Sequence, residues 1–159
     1  MVETLWQNEE CALGLIDGVF VCVWVGNPTV RAADEIERCF KEHGPRFSKG
    51  AGLITIVLAN APPPESAARK RIAEILSNSQ NLKASAVCFE GSGLRATIVR
   101  TVVTGINLMA RLAFPHKVFA TFESGVAFVH GTLSQASIAM PEAKTLVTAI
   151  SAWRATLTR

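Results

Sequence analysis

The chain has 159 residues, of which 49% are hydrophobic and 18% are charged, with a formal net charge of +3. A chain of this length and apolar content can bury a core without disulfides, so we predict one folded domain over residues 1–159 rather than a disordered segment. The small, scattered positive charge excludes the dense basic face of a nucleic-acid-binding protein, and neither DNA nor RNA is an expected partner.

Two apolar runs near the N-terminus flank Asp17-Gly18 and predict a β-hairpin. Both central residues of a type I′ turn need positive φ, and this pair suits that conformation. In the second run, at 19–25, the residues of both alternating sets are apolar. A strand of this kind is predicted to be covered on both faces by other structure.

Strands and helices alternate along the rest of the chain. In chain order, apolar runs and helical spacings predict a helix at 29–43, a strand at 53–59, a helix at 65–79, a strand at 84–89, a helix at about 98–113 and a strand at 117–122. Two helices follow, one from Ser124 that breaks near Gly131 and one at about 142–157. We therefore predict an α/β fold with its core at about 11–130: a mixed, mostly parallel sheet of about five strands, with an N-terminal hairpin and helices on both faces.

This order of elements resembles the STAS domain of bacterial anti-sigma-factor antagonists and their SEC14-like relatives. The resemblance covers about residues 13–129 and rests on DGVFVCVWVGNPTVRAADEIERCF near the start and FPHKVFATFESGVAFV near the end. It implies a regulatory protein that binds a protein partner, in some members under the control of a phosphorylated serine. That serine opens the helix after the central strand in an Asp-Ser-Ser-Gly context. Here the stretch NAPPPES ends at Ser66 without that context, so control by phosphorylation is not expected.

The turn GSGLRA at 91–96 follows a predicted strand and opens the next helix. It fits G-x-G-x-x-A, a pattern in which the backbone approaches a pyrophosphate held at a helix N-terminus. The ribose-binding acid of such a site should follow about 20 residues on. Glu123 lies 27 residues past Ala96 (123 − 96), which is too far. A plain strand-to-helix turn, capped by Ser92, is the alternative interpretation.

Ligands of parallel sheets bind beyond the carboxyl ends of the strands. At that edge we select five candidate residues for binding an anion or a partner: Asn60, Ser66, Gly91, Ser92 and Gly93. The edge is poor in acid–base groups, and the chain contains neither G-x-S-x-G nor H-E-x-x-H. No catalytic residue is therefore predicted.

The helix at about 98–113 carries more apolar surface than contact with one sheet face needs. One broad stripe is predicted to face the sheet, and it consists of Ile98, Val99, Val102, Val103, Ile106, Met109 and Ala113. A second ridge consists of Leu94, Thr101, Gly105, Leu108 and Leu112. Gly105 in its middle would let another helix approach closely. The ridge is either a partner interface, centred on Leu94, Gly105, Leu108 and Leu112, or a surface that the protein's own last helices cover.

The cysteines lack the spacing of a metal site or a disulfide framework, so neither a metal nor a cofactor is predicted. Their pattern suits a reducing cytoplasm. The N-terminus shows no signal peptide, and Arg100 and Arg111 in the long helix exclude a membrane span.

These features predict a cytoplasmic, non-enzymatic regulatory module that binds a protein partner or forms a homodimer. Two alternatives stay open. One is a nucleotide- or anion-binding enzyme that uses the turn at 91–96. The other, which the SEC14-like resemblance implies, is a carrier of a small apolar ligand held between the sheet and its helices.

Overall fold

The computed structural model describes residues 1–157. Over these residues the strands are β1 (Glu3–Gln7), β2 (Cys11–Ile16), β3 (Val19–Trp24), β4 (Ala51–Val57), β5 (Leu82–Phe89) and β6 (His116–Phe119). They form one sheet in chain order, in which β2 is antiparallel to both of its neighbours, β1 and β3, and the strands β3 to β6 are parallel. The predicted fold class is confirmed, with six strands in this part of the chain instead of about five.

Helices cover both faces of the sheet, as predicted. They are α1 (Val30–His43), α2 (Ser66–Asn78), α3 (Gly93–Ala110), α4 (Phe122–Gln135) and α5 (Ala143–Leu157), and a 3₁₀ turn at Gly44–Arg46 follows α1. The first three connect consecutive parallel strands, and right-handed connections to the next neighbour place all of them on the same face. The last two follow β6 and pack on the opposite face.

The hairpin between β2 and β3 has the predicted turn. Asp17 and Gly18 have φ values of 44° and 83°, and Ile16 pairs with Val19 directly across the two-residue loop. Positive φ at both positions matches the twist of the flanking strands and fixes their register.

Alternation along β3 separates two cores. One set of its side chains lies in the core beneath α4 and α5: Val19, Val21 and Val23. The other set lies in the core beneath α1, α2 and α3: Phe20, Cys22 and Trp24. The prediction that both faces are covered is therefore confirmed. Val25, predicted as the end of this strand, lies past it and is exposed.

The strand that the sequence did not predict is β1. It lies at the edge of the sheet, its register with β2 shifts between Thr4 and Trp6, and its side chains are exposed or half-buried. No regular apolar alternation marks it for that reason. The indole Nε1 of Trp153 in α5 donates a hydrogen bond to Oγ1 of Thr4 at 2.9 Å, so α5 fastens this edge strand.

The region after β6 differs from the prediction in two ways. Phe122 does not end a strand but opens α4, because Thr121 is the N-cap and accepts a hydrogen bond from the backbone N–H of Ser124. The predicted break near Gly131 is also wrong, since α4 continues to Gln135. Buried residues lie on both sides of the glycine: Val126, Val129 and Leu133. Their burial outweighs the cost of about 1 kcal/mol for a glycine in a helix.

Candidate functional site

The candidate residues at the carboxyl edge of the sheet lie in the loops after β4 and β5. Arg95 in the first turn of α3 donates a hydrogen bond to the backbone oxygen of Ala59 at 2.7 Å, which joins α3 to the loop that contains Asn60. Ser66 is the first residue of α2, after the N-cap Glu65. Asn60 and Ser66 are both exposed. The loop that contains Asn60 is therefore hydrogen-bonded to the start of α3, whereas Ser66 lies at the start of a different helix, α2.

Local packing explains the glycine-rich turn before α3. A Cβ on Gly91 would overlap the ring of the buried Phe89, so this glycine makes room for a neighbouring side chain. Gly93 has a φ of 64°, a conformation that favours glycine. Ser92 occupies the N-cap position, but its side chain makes no capping hydrogen bond. The pattern of the turn therefore has structural causes that need no bound phosphate.

Ion pairs between charged side chains link elements of the fold. Arg71 of α2 donates hydrogen bonds to Oδ1 of Asp34 and Oε2 of Glu37 in α1, both at 2.6 Å. The hydrogen bond from Arg71 lowers the pKa of Glu37, whose carboxylate stays ionised at neutral pH. Glu90, beside the glycine turn, forms an ion pair with Arg154 of α5. The carboxylates of Glu37 and Glu90 are therefore already paired with cations.

All four cysteines are buried and reduced. The Sγ atoms of Cys11 and Cys22 lie 3.3 Å apart, and this hydrogen bond, together with burial, raises the pKa of Cys11. Burial raises the pKa of Cys39 and raises that of Cys88 to about 12. Because only the thiolate is a nucleophile or a metal ligand, these three thiols act as small apolar groups of the core.

Two further properties concern the described part of the chain. Within residues 1–157, no three side chains of His, Cys, Asp or Glu lie close enough to hold a metal ion. Over the same residues, no helix is both long enough and apolar enough to cross a membrane.

The face that the long helix α3 turns to the sheet is narrower than predicted. Its buried residues are Val103, Ile106 and Ala110. Ile98 and Met109, predicted to face the sheet, are 38% and 53% exposed. Ala113 lies past the end of the helix and is also exposed. The centre of the buried face of α3 lies near Ile106 and Ala110, and this face is narrower than the predicted stripe.

The second ridge of α3 faces solvent over most of its length. Leu94 and Leu108 are both 76% exposed, and a Cβ on Gly105 would meet nothing within 4 Å. Leu112 follows the helix and packs, half-buried, against the core beneath α1 to α3. The interpretation that the protein's own last helices cover the ridge is wrong, because α4 and α5 pack on the opposite face of the sheet.

We call the exposed apolar side of α3 the outer stripe, and it consists of Leu94, Ile98, Gly105, Leu108 and Met109. Exposed arginines lie on both sides of it and at its end: Arg95, Arg100 and Arg111. Residues 93–110 contain no acidic side chain. The outer stripe is therefore an apolar surface with a basic border.

Comparisons with known proteins find a similarity to a solved structure. No protein-family profile matches the chain, and no curated protein sequence matches it significantly. The structure is similar to the crystal structure of an anti-sigma factor antagonist from Mycobacterium paratuberculosis, at 18% sequence identity and a TM-score of 0.47. The similar region covers 82% of this chain and 95% of that chain. That protein is of the class that the sequence resembles, and the likeness concerns the backbone alone.

Proposed function

We propose that the protein is a non-enzymatic binding module whose outer stripe docks a protein partner with an apolar surface and an acidic border. One observation carries this proposal: two leucines of a single helix, Leu94 and Leu108, are each 76% exposed. Several large apolar side chains exposed along one side of a helix in a small domain commonly mark a site of association. The STAS-like sequence pattern supports a regulatory role for such binding.

The arginines around the outer stripe indicate the chemistry of the partner. Arg100 and Arg111 lie on the same side of α3, next to the exposed leucines. Since α3 has no carboxylate of its own to neutralise them, an acidic surface on the partner would complement them. Charge pairs at the border of an interface mainly raise the association rate and make it sensitive to salt.

The same charges argue against a homodimer through this surface. In a two-fold antiparallel pair of α3 helices centred on Gly105, Arg100 of one copy would lie beside Arg111 of the other. Like charges placed opposite each other oppose association. A different, acidic protein is therefore the favoured occupant of the outer stripe.

We expect the double variant Leu94→Glu/Leu108→Glu to keep its fold and to lose its partner. Both side chains are exposed, so the new carboxylates stay in water and thermal unfolding should be nearly unchanged. The matched control is Val25→Glu/Val30→Glu, which also removes two exposed apolar side chains and adds two negative charges, but outside α3. The measurement compares proteins recovered on each immobilised form from cells of the native host, by quantitative mass spectrometry.

The proposal predicts at least one protein that wild type and the control retain, that the stripe variant loses, and that salt elutes. Light scattering on the free proteins reports their mass. If the stripe variant and wild type recover the same proteins, the outer stripe is not the interface. If wild type is dimeric and the stripe variant is monomeric, a second copy occupies the surface instead.

Gly105→Ala separates the two roles of this glycine. Because the added Cβ meets nothing within 4 Å, only helix propensity changes, and we expect the free energy of unfolding to rise by about 1 kcal/mol. A partner helix that crosses α3 at Gly105 would be held further away, so association should weaken. Urea unfolding and partner recovery measure the two effects, and a stabilised variant with unchanged recovery would place the contact elsewhere on the stripe.

A further inference from the structure

A cavity of about 120 Å³ lies between the sheet and the helices α1, α2 and α3. Its wall is apolar for most of its extent and includes Trp24 and Leu53 of the sheet and Val102 and Ile106 of α3. No aspartate, glutamate, lysine or arginine lines it. A charged molecule would lose its hydration there without gaining a partner, so the cavity suits an uncharged occupant.

Besides Thr55, one polar residue, His116, stands in this apolar wall. It is the first residue of β6 and is only 9% exposed, and neither Nδ1 nor Nε2 has a hydrogen-bond partner. Burial lowers the pKa of its imidazole to about 4, so the ring is neutral at pH 7. A neutral imidazole carries one N–H donor and one acceptor nitrogen, and both are unused here.

Two neighbours of His116 also have a buried side-chain atom without a hydrogen-bond partner. Ser85 pairs with His116 in the register between β5 and β6, is fully buried, and its Oγ has no partner. Asn107 of α3 donates from Nδ2 to the backbone oxygen of His116 at 3.0 Å, while its Oδ1 has no partner. Within residues 1–157, the buried side-chain nitrogen and oxygen atoms that lack partners all belong to these three residues. Buried polar groups in proteins are nearly always hydrogen-bonded, so their concentration at one place points to a ligand.

We propose that this cavity binds a small, uncharged, mostly apolar molecule of about single-ring size, whose one hydroxyl or N–H group hydrogen-bonds to His116. The volume supports this size, since an engineered apolar cavity of about 150 Å³ in another protein binds benzene. The polar group of the ligand lies at the β5–β6 end, next to His116, and its apolar body lies along α3. Pro62 and Pro63 line the cavity and are exposed, so they lie at its mouth.

The site is independent of the outer stripe. Val102 and Ile106 face the cavity, whereas Leu94 and Leu108 lie on the solvent side of the same helix. A failure of the partner-binding proposal therefore leaves this one standing, and the reverse also holds.

Phenol and benzene are the probes that test the proposal, because they differ by the one hydroxyl group. In a titration of wild type followed by NMR of the histidine ring nitrogens, phenol should shift Nδ1 and Nε2 of His116 with saturation. Benzene should bind about tenfold more weakly, since it leaves the imidazole unpaired. This experiment needs no variant. A lack of saturable shifts with phenol would overturn the proposal.

Two variants then locate the probe. His116→Leu should lose the preference for phenol over benzene and keep the affinity for benzene. Val102→Phe fills the cavity and should abolish the binding of both probes. Thermal unfolding confirms that each variant is folded before it is titrated. Phenol binding that is unchanged in His116→Leu, or ordered waters that occupy both Nδ1 and Nε2 of His116 in a crystal soaked with phenol, would show that the imidazole is not the ligand's partner and would overturn the assignment.

Discussion

Replacement of Gly125 by Ala is expected to lower the free energy of unfolding by about 3 kcal/mol, although Ala is the better helix former. Gly125 is buried where α4 crosses β5, and a Cβ at this position would overlap Sγ of Cys88 and touch Ala86. Both neighbours belong to β5, which is paired on both sides, so the helix must move away from the sheet. That movement loosens the core beneath α4 and α5.

The cause of this loss can be tested with a second substitution. Cys88→Ala removes the overlapping Sγ and should cost about 1 kcal/mol on its own. In the double variant Gly125→Ala/Cys88→Ala the new methyl group occupies the vacated space. Its loss in the free energy of unfolding should therefore be about 2 kcal/mol smaller than the sum of the losses of the two single variants. Gly131→Ala is the matched control in the same helix, since its Cβ meets nothing within 4 Å and should stabilise the protein. The free energies of unfolding of the four variants are measured in urea. Strictly additive losses in the double variant would contradict the steric cause.

The sequence predicted those parts of the fold that depend on local chemistry. The turn at Asp17-Gly18 needs two residues with positive φ, and the continuous apolar run of β3 needs cover on both faces. Neither requirement involves distant residues, and both are met in the structure. In contrast, β1 is a short edge strand whose stability comes from pairing with β2 and from the contact between Thr4 and Trp153. Trp153 is distant in sequence, and the residues of β1 show no apolar alternation that would reveal the pairing with β2.

The orientation of α3 shows where helical periodicity stops being informative. The sequence of this helix contains apolar residues over most of its circumference, so the wheel finds apolar arcs without saying which of them is buried. The choice is made by the neighbours, because α3 packs against α2 and β6 while α4 and α5 lie beyond the sheet. The sequence does not show which elements pack against α3, and the prediction that Ile98 and Met109 face the sheet is wrong for that reason. The exposure of Leu94 and Leu108 likewise depended on where the last two helices go.

His116 could not be identified from the sequence for a similar reason. It stands beside Pro115 at the start of a short strand, where a histidine is usually exposed in a turn. Its burial follows from the position of α3 above the β5–β6 pair, and neither of its ring nitrogens has a hydrogen-bond partner there. In the sequence, His116 is only a polar residue next to a proline, and nothing near it indicates burial.

Burial of His116 is expected to make the protein sensitive to acid. Burial lowers the pKa of this imidazole from 6.5 to about 4, so the unfolded chain takes up a proton at a higher pH than the folded protein does. Stability from this group is therefore complete above about pH 6.5 and is lost as the pH falls towards 4. A difference of this size corresponds to about 3 kcal/mol, a large part of the stability of a small domain.

The measurement is the free energy of unfolding in urea at several pH values between 7 and 4, for wild type and for His116→Leu. The variant lacks the titrating group. Over this range its free energy of unfolding should therefore decrease by about 3 kcal/mol less than that of wild type. His130→Gln is the control, because it removes a histidine on the other side of the sheet, in α4, and should keep the acid sensitivity of wild type. Since the carboxylates are common to all three proteins, their titration cancels in the comparison. Parallel curves for wild type and His116→Leu would mean that the imidazole is already paired in solution, by water or by a ligand that also binds its charged form.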